Sequence, residues 1–341
     1  LGLGDKYVGM YAYNKHCAPP SVKVHPNVII SVTTAFLTGG WTFDQVVEGW
    51  SGRGATLGVY DYFSVIAWDW NMPRRGKAAR AGSLAAAIRS YYDKGARFLD
   101  AESGDAWGPY GLGYYVASRV MWDVDQADRA NEIVDDFLQK CFGPAKEPMD
   151  EFYHLIGEDD TRRSTTDILA RMYRRLDAAR ELAGDAPRVM ARLDDLVLYT
   201  RYAELYDAYA RTVGGGKQKA RRAMITHAYR MRTTSLVHVY GLFARTVGQQ
   251  AAHDPNYPLK RDEPFTDEEI AHFVSEGMTN NQPVEIDFEP VAFSEDLVPA
   301  AGRLDLPEVP PGKYPTVPQD RQNYLVWVDA APADIHIKVT V

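Results

Sequence analysis

Carboxylates, amides and aromatic rings follow four short apolar runs near the start of the chain. The runs are YVGMYAYN (7–14), NVIISVTT (27–34), ATLGVYDYF (55–63) and ARFLDAES (96–103). The candidate site residues at or just after the ends of these runs are Tyr13, Asn14, His16, Asp61, Tyr62, Trp68, Glu102, Asp105 and Trp107. A sugar ring calls for this mixture, because its apolar C–H faces stack on aromatic rings while its hydroxyls bond to carboxylates and amides. The pattern therefore predicts a carbohydrate site.

Glu102 and Asp61 are the candidate catalytic residues. Hydrolysis of a glycosidic bond uses two carboxyl groups, one protonated and one ionised. We predict that these two side chains project into one cleft from neighbouring strands. The residues predicted to bind the substrate around them are Tyr13, Asn14, His16, Tyr62, Trp68, Asp105 and Trp107. Each carboxylate also has a structural interpretation, since Glu102 could cap a helix and Asp61 could bond backbone amides at a strand end.

The sequence predicts neither a bound metal nor a cofactor. His16 stands beside Cys17, but no second His follows at ligand spacing, and Cys17 and Cys141 are the only cysteines. LGLG and VGGGK lack the strand and helix context of a phosphate-binding loop. A net charge of -8 argues against a nucleic-acid partner. No stretch approaches the roughly 20 apolar residues of a membrane span, so no span is predicted.

Two segments with helical spacing separate the later apolar runs. Their apolar positions are Phe43, Val46, Val47 and Trp50 in one segment, and Leu84, Ala87, Ile88 and Tyr91 in the other. Strands that alternate with helices predict βαβ units and a parallel sheet. Four units are too few to close an eight-stranded barrel. We therefore predict an α/β fold in which residues 1–110 are the C-terminal half of a (β/α)8 TIM barrel, with the upstream half as a partner missing from this chain. A small open α/β sheet is the alternative.

The pattern becomes helical after about residue 108. Helices are predicted over 110–123, 128–143, 164–183, 187–212 and 217–247, and Tyr114, Tyr115 and Trp122 are predicted to be core residues. Residues 111–250 are thus predicted to be an all-α helical bundle. Frequent prolines predict a linker over 251–320, and the alternation in YLVWVDAAPADIHIKVTV predicts that 321–341 begins a β-rich domain.

Several motifs, in the same order, resemble the domain of unknown function 4838 family. They are YVGMYAYNKHCAPP, WSGRGATLGVYDYF, YYDKGARFLDAESGDAWG and GYYVASRVMWDVDQ, within residues 5–160. The resemblance implies a glycoside-hydrolase-like barrel, similar in architecture to family 67 α-glucuronidases and family 20 hexosaminidases. It also implies barrel strands five to eight here, with Asp61 after the seventh and Glu102 after the eighth. The general acid would then lie before Leu1.

The sequence thus favours a glycoside hydrolase that acts on poly- or oligosaccharides through carboxylates at strand ends. One alternative is a non-catalytic carbohydrate-binding or surface-assembly protein with a degenerate hydrolase barrel. A helical interaction scaffold is another, but it leaves the aromatic residues at the strand ends unexplained. The chain shows no signal peptide, and the resemblance implies a secreted, periplasmic or cell-surface location.

Overall fold

The structure, a computed structural model, describes residues 4–157, 166–246 and 263–281. The strands are β1 (Val8–Asn14), β2 (Val28–Leu37), β3 (Thr56–Tyr62) and β4 (Phe98–Glu102). The helices are α1 (Phe43–Ser51), α2 (Ile66–Asp69), α3 (Ala81–Asp93), α4 (Trp107–Trp122), α5 (Ala130–Phe142), α6 (Lys146–Gly157), α7 (Thr166–Ala183), α8 (Pro187–Arg211), α9 (Lys217–Arg230), α10 (Val239–Thr246) and α11 (Asp267–Asn280). The prediction of an α/β fold with a parallel sheet and several helices is confirmed.

The strands form one parallel sheet in the order β1-β2-β3-β4. Side chains alternate between the two faces of a strand, so the register assigns each residue to a face. The covered face carries the buried apolar residues Ala12, Ile30, Val32, Leu57 and Val59. The open face carries Tyr11, Tyr60, Tyr62, Asp100 and Glu102.

The sheet curves toward its open face. The hydroxyl of Tyr11 on β1 donates a hydrogen bond to Asp100 on β4 at 3.1 Å. Three strand spacings of about 4.8 Å would separate these two strands by about 14 Å in a flat sheet. A direct bond between the outer strands therefore requires a concave open face.

Helix α1 packs on the covered face. A capping box starts it: the Gln45 amide N–H donates to the Thr42 hydroxyl at 3.3 Å, and the Thr42 amide N–H donates to Gln45 Oε1 at 3.0 Å. Val46, Val47 and Trp50 then follow on one side of the helix and pack with the buried residues of β1, β2 and β3. The spacing in the sequence correctly predicts this helix and its buried side.

A larger hydrophobic core lies among the helices from α3 onwards. Its largest fully buried side chains include Tyr110, Phe152, Tyr173, Tyr199 and Tyr202. The same core includes Phe63 and Met72, which follow β3. The core thus crosses the predicted domain boundary near residue 110, and the described residues fall in one compact unit, residues 1–282.

Most predicted elements match the structure within a few residues. The four strands, α4, α5 and α8 are confirmed, and 164–183 is confirmed from Thr166, because 164 and 165 lie outside the described residues. The single helix predicted over 217–247 is wrong. It is interrupted between Arg230 and Val239 by a 3-10 turn and by Ser235, whose φ of 55° is left-handed and ends helical geometry. Residues 15–27, all of them described, contain no helix between β1 and β2.

Two further expectations need correction. Part of the predicted linker is helix α11, where a capping box of Thr266 and Glu269 starts the helix and Ile270 and Val274 are buried in the main core. Prolines on both sides of these residues favour the prediction of a linker, although the apolar positions within 267–280 have helical spacing. Trp122 is 91% exposed at the end of α4, so it is not a core residue. The remaining predicted linker beyond residue 281 and the predicted β segment 321–341 lie outside the described residues.

Candidate functional site

Two carboxylates share the open face at the carboxyl end of β4. Asp100 is aligned with Tyr60 of β3, and Glu102 is aligned with Tyr62. Both carboxylates are exposed. Because residues two apart on a strand point to the same side, Asp100 and Glu102 form a pair whose Cα atoms lie about 7 Å apart by the strand rise.

Tyrosine hydroxyls bind both members of this pair. Tyr60 donates to Glu102 Oε1 at 2.8 Å, and Tyr11 donates to Asp100 Oδ2 at 3.1 Å. Burial and then the bond to Glu102 raise the pKa of Tyr60 well above its ordinary value, and the bond to Asp100 raises the pKa of Tyr11. Burial and then the charge of Glu102 raise the pKa of Tyr62 to about 12. All three phenols therefore stay protonated near neutral pH, and those of Tyr60 and Tyr11 donate to the two carboxylates.

Aromatic residues from three strand ends meet beside the carboxylates in what we call the ring cluster, which comprises Tyr11, Tyr13, Phe36, Tyr60, Tyr62 and Trp68. The ring centroids of Tyr62 and Trp68 lie 5.0 Å apart, and those of Tyr13 and Phe36 lie 5.8 Å apart. Tyr13, Phe36 and Trp68 are 38%, 48% and 49% exposed. Exposed aromatic rings that contact one another in this way are typical of a ligand-binding surface.

Asp61 does not join Glu102, which corrects the prediction of a shared cleft. It aligns with Ala101 rather than with Glu102, and it is 1% exposed on the covered face. Alternation within β3 places Asp61 on the same side as Leu57 and Val59. A carboxylate there points into the layer between sheet and helices, away from the open face.

Hydrogen bonds and one ion pair satisfy the buried Asp61 carboxylate. Oδ1 accepts from the Thr34 hydroxyl at 2.7 Å and from the Tyr62 amide at 2.8 Å. Oδ2 accepts from Lys77 Nζ at 2.5 Å and from the Tyr91 hydroxyl at 2.9 Å. Burial alone would raise the pKa of Asp61, but Lys77 and the hydrogen-bond donors outweigh burial and hold that pKa below its ordinary value. Asp61 is thus an ionised anchor between the sheet and the helices.

The segment after Trp68 is anchored in the helical core. Buried tyrosines from α4 and α8 donate to three successive backbone carbonyls: Tyr202 to Trp70 at 2.9 Å, Tyr199 to Asn71 at 3.0 Å and Tyr110 to Met72 at 3.1 Å. Trp70 and Asn71 both have a left-handed φ of 53°, which makes their conformation dependent on such support. The core therefore fixes the backbone just after Trp68, which lies in α2.

The other predicted binding residues lie at the same end of the sheet but outside the ring cluster. Asn14 ends β1 with a left-handed φ of 54°, and both Asn14 and His16 are exposed beside Tyr13. Asp105 is exposed in the loop before α4. Trp107 is 49% exposed, and its ring contacts Tyr114 at 5.3 Å. Asn14, His16, Asp105 and Trp107 therefore lie near the ring cluster but are not part of it. Of the predicted binding residues, Tyr13, Tyr62 and Trp68 belong to the ring cluster.

The predicted set lacks four site residues: Tyr11, Tyr60, Asp100 and Phe36. Tyr11, Tyr60 and Asp100 could have been found, because each lies two residues before a predicted site residue on the same strand, namely Tyr13, Tyr62 and Glu102. Phe36 had no such signal, since its exposure depends on an irregularity in β2 that only the structure reveals.

The described residues contain no group of three or more His, Cys, Asp or Glu side chains that could hold a metal ion. Within the same part of the chain, no helix is both long enough and apolar enough to span a membrane.

Comparison with known proteins gives a family but no activity. No curated protein and no solved structure matches the chain. Residues 3–153 match the family described as "Domain of unknown function (DUF4838)". This match confirms the family that the sequence motifs predicted, while similarity to glycoside hydrolases stays a prediction. Residues 3–153, which contain the whole open face and ring cluster, therefore belong to the DUF4838 family.

Proposed function

We propose that this protein binds an oligosaccharide on the open face and hydrolyses a glycosidic bond there. The observation that carries the proposal is the combination, on one concave face, of exposed aromatic rings with the carboxylates of Asp100 and Glu102. Rings receive the C–H faces of sugars, and carboxylates accept hydrogen bonds from their hydroxyls. The negative charge of the pair favours neutral or amino sugars over uronic acids, because like charges repel.

For the chemistry, we propose Glu102 as the first catalytic carboxylate and Asp100 as its partner in place of Asp61. Paired carboxyls in glycoside hydrolases lie about 5–5.5 Å apart for retention and about 6.5–9.5 Å apart for inversion. Two residues on the same side of one strand fall within reach of that range. Asp61 is unsuited to the task because Lys77 and Tyr91 occupy its carboxylate on the opposite face.

We also propose that the sheet is one half of a (β/α)8 barrel. Its strands are parallel and sequentially ordered, and the open face is concave, as the interior of a barrel would be. In the described residues each outer strand, β1 and β4, pairs on one side only. Further strands beside them would place a wall opposite Glu102 and convert the open face into a cleft. A secreted or cell-surface location remains a prediction from the family resemblance.

A non-catalytic carbohydrate-binding protein is the second candidate. It is favoured by one observation: both carboxylates are exposed and already accept tyrosine hydrogen bonds. Carboxylates held in this way suit the binding of sugar hydroxyls, whereas hydrolysis requires one carboxyl of the pair to carry a proton.

Binding and cleavage, measured separately on the intact protein, test the proposal. We would screen an array of neutral, amino and uronic-acid oligosaccharides for binding, and detect cleavage products by mass spectrometry. Glu102→Gln should lower turnover roughly 10²–10⁴-fold while binding persists. Glu48→Gln, an exposed substitution on α1 behind the sheet, is the matched control and should leave both unchanged. Binding without cleavage by the wild type would support the second candidate, and no binding to any glycan would refute both.

A further inference from the structure

Strand β2 contains a bulge at the edge of the ring cluster. Ala12 of β1 aligns with Val32, but the next aligned pair is Asn14 with Leu37. Two steps along β1 thus correspond to five steps along β2, and the extra residues loop out of the ladder. Bulges of this kind often redirect a side chain beside a functional site.

Two threonine hydroxyls hold the bulge in place. The Thr33 hydroxyl lies 3.2 Å from the Ala12 carbonyl and 2.8 Å from the Ala35 carbonyl, to which it donates. The Thr34 hydroxyl donates to the buried carboxylate of Asp61 at 2.7 Å. The bulge is therefore held by specific contacts, with Thr33 bound to backbone carbonyls and Thr34 bound to Asp61 on the covered side of the sheet.

The bulge presents Phe36 in a backbone conformation that phenylalanine disfavours. Its φ is 61°, in the left-handed region that residues other than glycine, asparagine and aspartate rarely adopt. Its side chain is nevertheless 48% exposed, so the fold buries only part of the ring. Backbone strain combined with an exposed ring is unfavourable for folding, and such combinations concentrate where a ligand benefits from them.

Phe36 also connects the rest of the ring cluster. Its ring centroid lies 5.8 Å from that of Tyr13, 5.8 Å from that of Tyr62 and 5.5 Å from that of Trp68. It thereby joins the ring delivered by β1 to the rings delivered by β3 and α2. An apolar ligand surface that lies across the ring cluster from Tyr13 to Trp68 would therefore contact Phe36.

We infer that Phe36 is a ligand-contacting residue whose ring supplies the central surface on which one sugar unit lies. The inference rests on the proposed function, because it concerns the same oligosaccharide. The ring provides the apolar contact with the C–H face of the sugar, and Thr33 and Thr34 are positioning residues that act through the bulge. Phe36 would then determine affinity without taking part in bond cleavage.

The substitution Phe36→Gly distinguishes a ligand-binding role of Phe36 from a structural role. Glycine adopts a left-handed φ freely, so Phe36→Gly should melt at the wild-type temperature or higher. The same variant should bind at least tenfold more weakly to the hexasaccharide that the wild type retains from a set of cello-, malto-, xylo- and chitohexaose. Phe36→Asn, which also tolerates this conformation, should behave likewise, and Phe36→Tyr should restore affinity. Trp122→Ala removes a fully exposed ring from α4 and is the control for non-specific ring loss.

Calorimetric titration and thermal melting of the intact protein give distinct outcomes. Weaker binding with an unchanged or raised melting temperature supports the inference. If the wild type binds a hexasaccharide and Phe36→Gly binds it within twofold, the inference is wrong while the proposed function stands. A clear loss of thermal stability in both Phe36→Gly and Phe36→Asn would overturn it in favour of a structural role. No binding by the wild type would overturn both.

Discussion

The buried pair of Asp61 and Lys77 gives a prediction that separates structural anchoring from catalysis. The Asp61 side chain is 1% exposed and the Lys77 side chain is 35% exposed. Lys77→Met leaves a buried carboxylate without its counter-charge, which typically costs 3–5 kcal/mol. Thr34, Tyr91 and the Tyr62 amide still donate to it, so we expect the lower end, a loss of about 3 kcal/mol in the free energy of unfolding.

Asp61→Asn should cost less, because the partly exposed Lys77 can turn its ammonium toward water. We expect about 1–2 kcal/mol for the altered hydrogen bonds. The double variant Asp61→Asn/Lys77→Met should cost about as much as Asp61→Asn alone, since no charge is left unpaired. The double-mutant cycle then yields a coupling energy of about 3 kcal/mol, the cost of Lys77→Met alone. Lys140→Met, which breaks an exposed ion pair with Asp136 on α5, is the control and should change stability by less than about 1 kcal/mol.

Urea unfolding at pH 7, followed by circular dichroism, measures these values, provided that the m-value is unchanged. The depressed pKa of Asp61 adds an acid test. Its stabilisation is fully present above the ordinary aspartate value of 3.8 and is lost as the pH falls through the lower folded value. Without Lys77 the pKa of Asp61 is higher than in the wild type, so the variant takes up this proton first. The stability gap between wild type and Lys77→Met should therefore narrow as the pH falls toward the lower wild-type value. Equal stability of Lys77→Met and wild type at pH 7, or a more stable Asp61→Asn, would refute the anchoring role and return Asp61 to the candidate catalytic groups.

Two predictions concern the helical core. Burial lowers the pKa of His227 from 6.5 to about 4, so the folded state binds fewer protons than the unfolded state in that window, and stability should fall as the pH drops from 6.5 to 4. The shift corresponds to about 3 kcal/mol. His227→Gln, which can keep the hydrogen bond to the Leu198 carbonyl, should lose this part of the pH dependence in urea titrations, and parallel wild-type and variant curves would contradict it. Tyr199→Phe should lower the unfolding free energy by about 1–3 kcal/mol, because it leaves the buried Asn71 carbonyl without its donor. Tyr240→Phe, at an 83% exposed position, should change nothing, and equal melting temperatures for the two variants would contradict this account.

Sequence periodicity predicted the elements of this fold well because burial repeats at fixed intervals. The spacing of Val46, Val47 and Trp50 is that of a helix with one buried side, and the structure has it. Alternation within β3 also carried a signal about Asp61, which shares parity with Leu57 and Val59 and therefore faces the covered side. A charged residue at a strand end is also expected to face a ligand, and at Asp61 that expectation conflicts with the alternation, which the structure follows.

Other features depend on contacts between distant parts of the chain and could not be read locally. The bulge that exposes Phe36 exists because Thr34 reaches Asp61, 27 residues away in sequence. The left-handed Trp70 and Asn71 depend on hydroxyls from α8, more than a hundred residues further on. No local preference of Phe or Trp predicts the conformations of Phe36 and Trp70, since each is disfavoured until its distant partner is in place.

The helices therefore act on the open face by two separate routes. One route holds Trp68, through the tyrosines that bind the backbone just after it. The other begins where Gly113 of α4 meets the Ala78 carbonyl so closely that any side chain would collide with it. That contact positions the 3-10 turn that contains Lys77 and Ala78. Lys77 pairs with the Asp61 carboxylate, and this carboxylate in turn accepts the hydrogen bond from Thr34 in the bulge. Because both ends of the ring cluster are fixed from behind, the geometry of a binding surface at the strand ends depends on packing in helices that touch no ligand. Substitutions at Gly113 should accordingly weaken binding as well as folding.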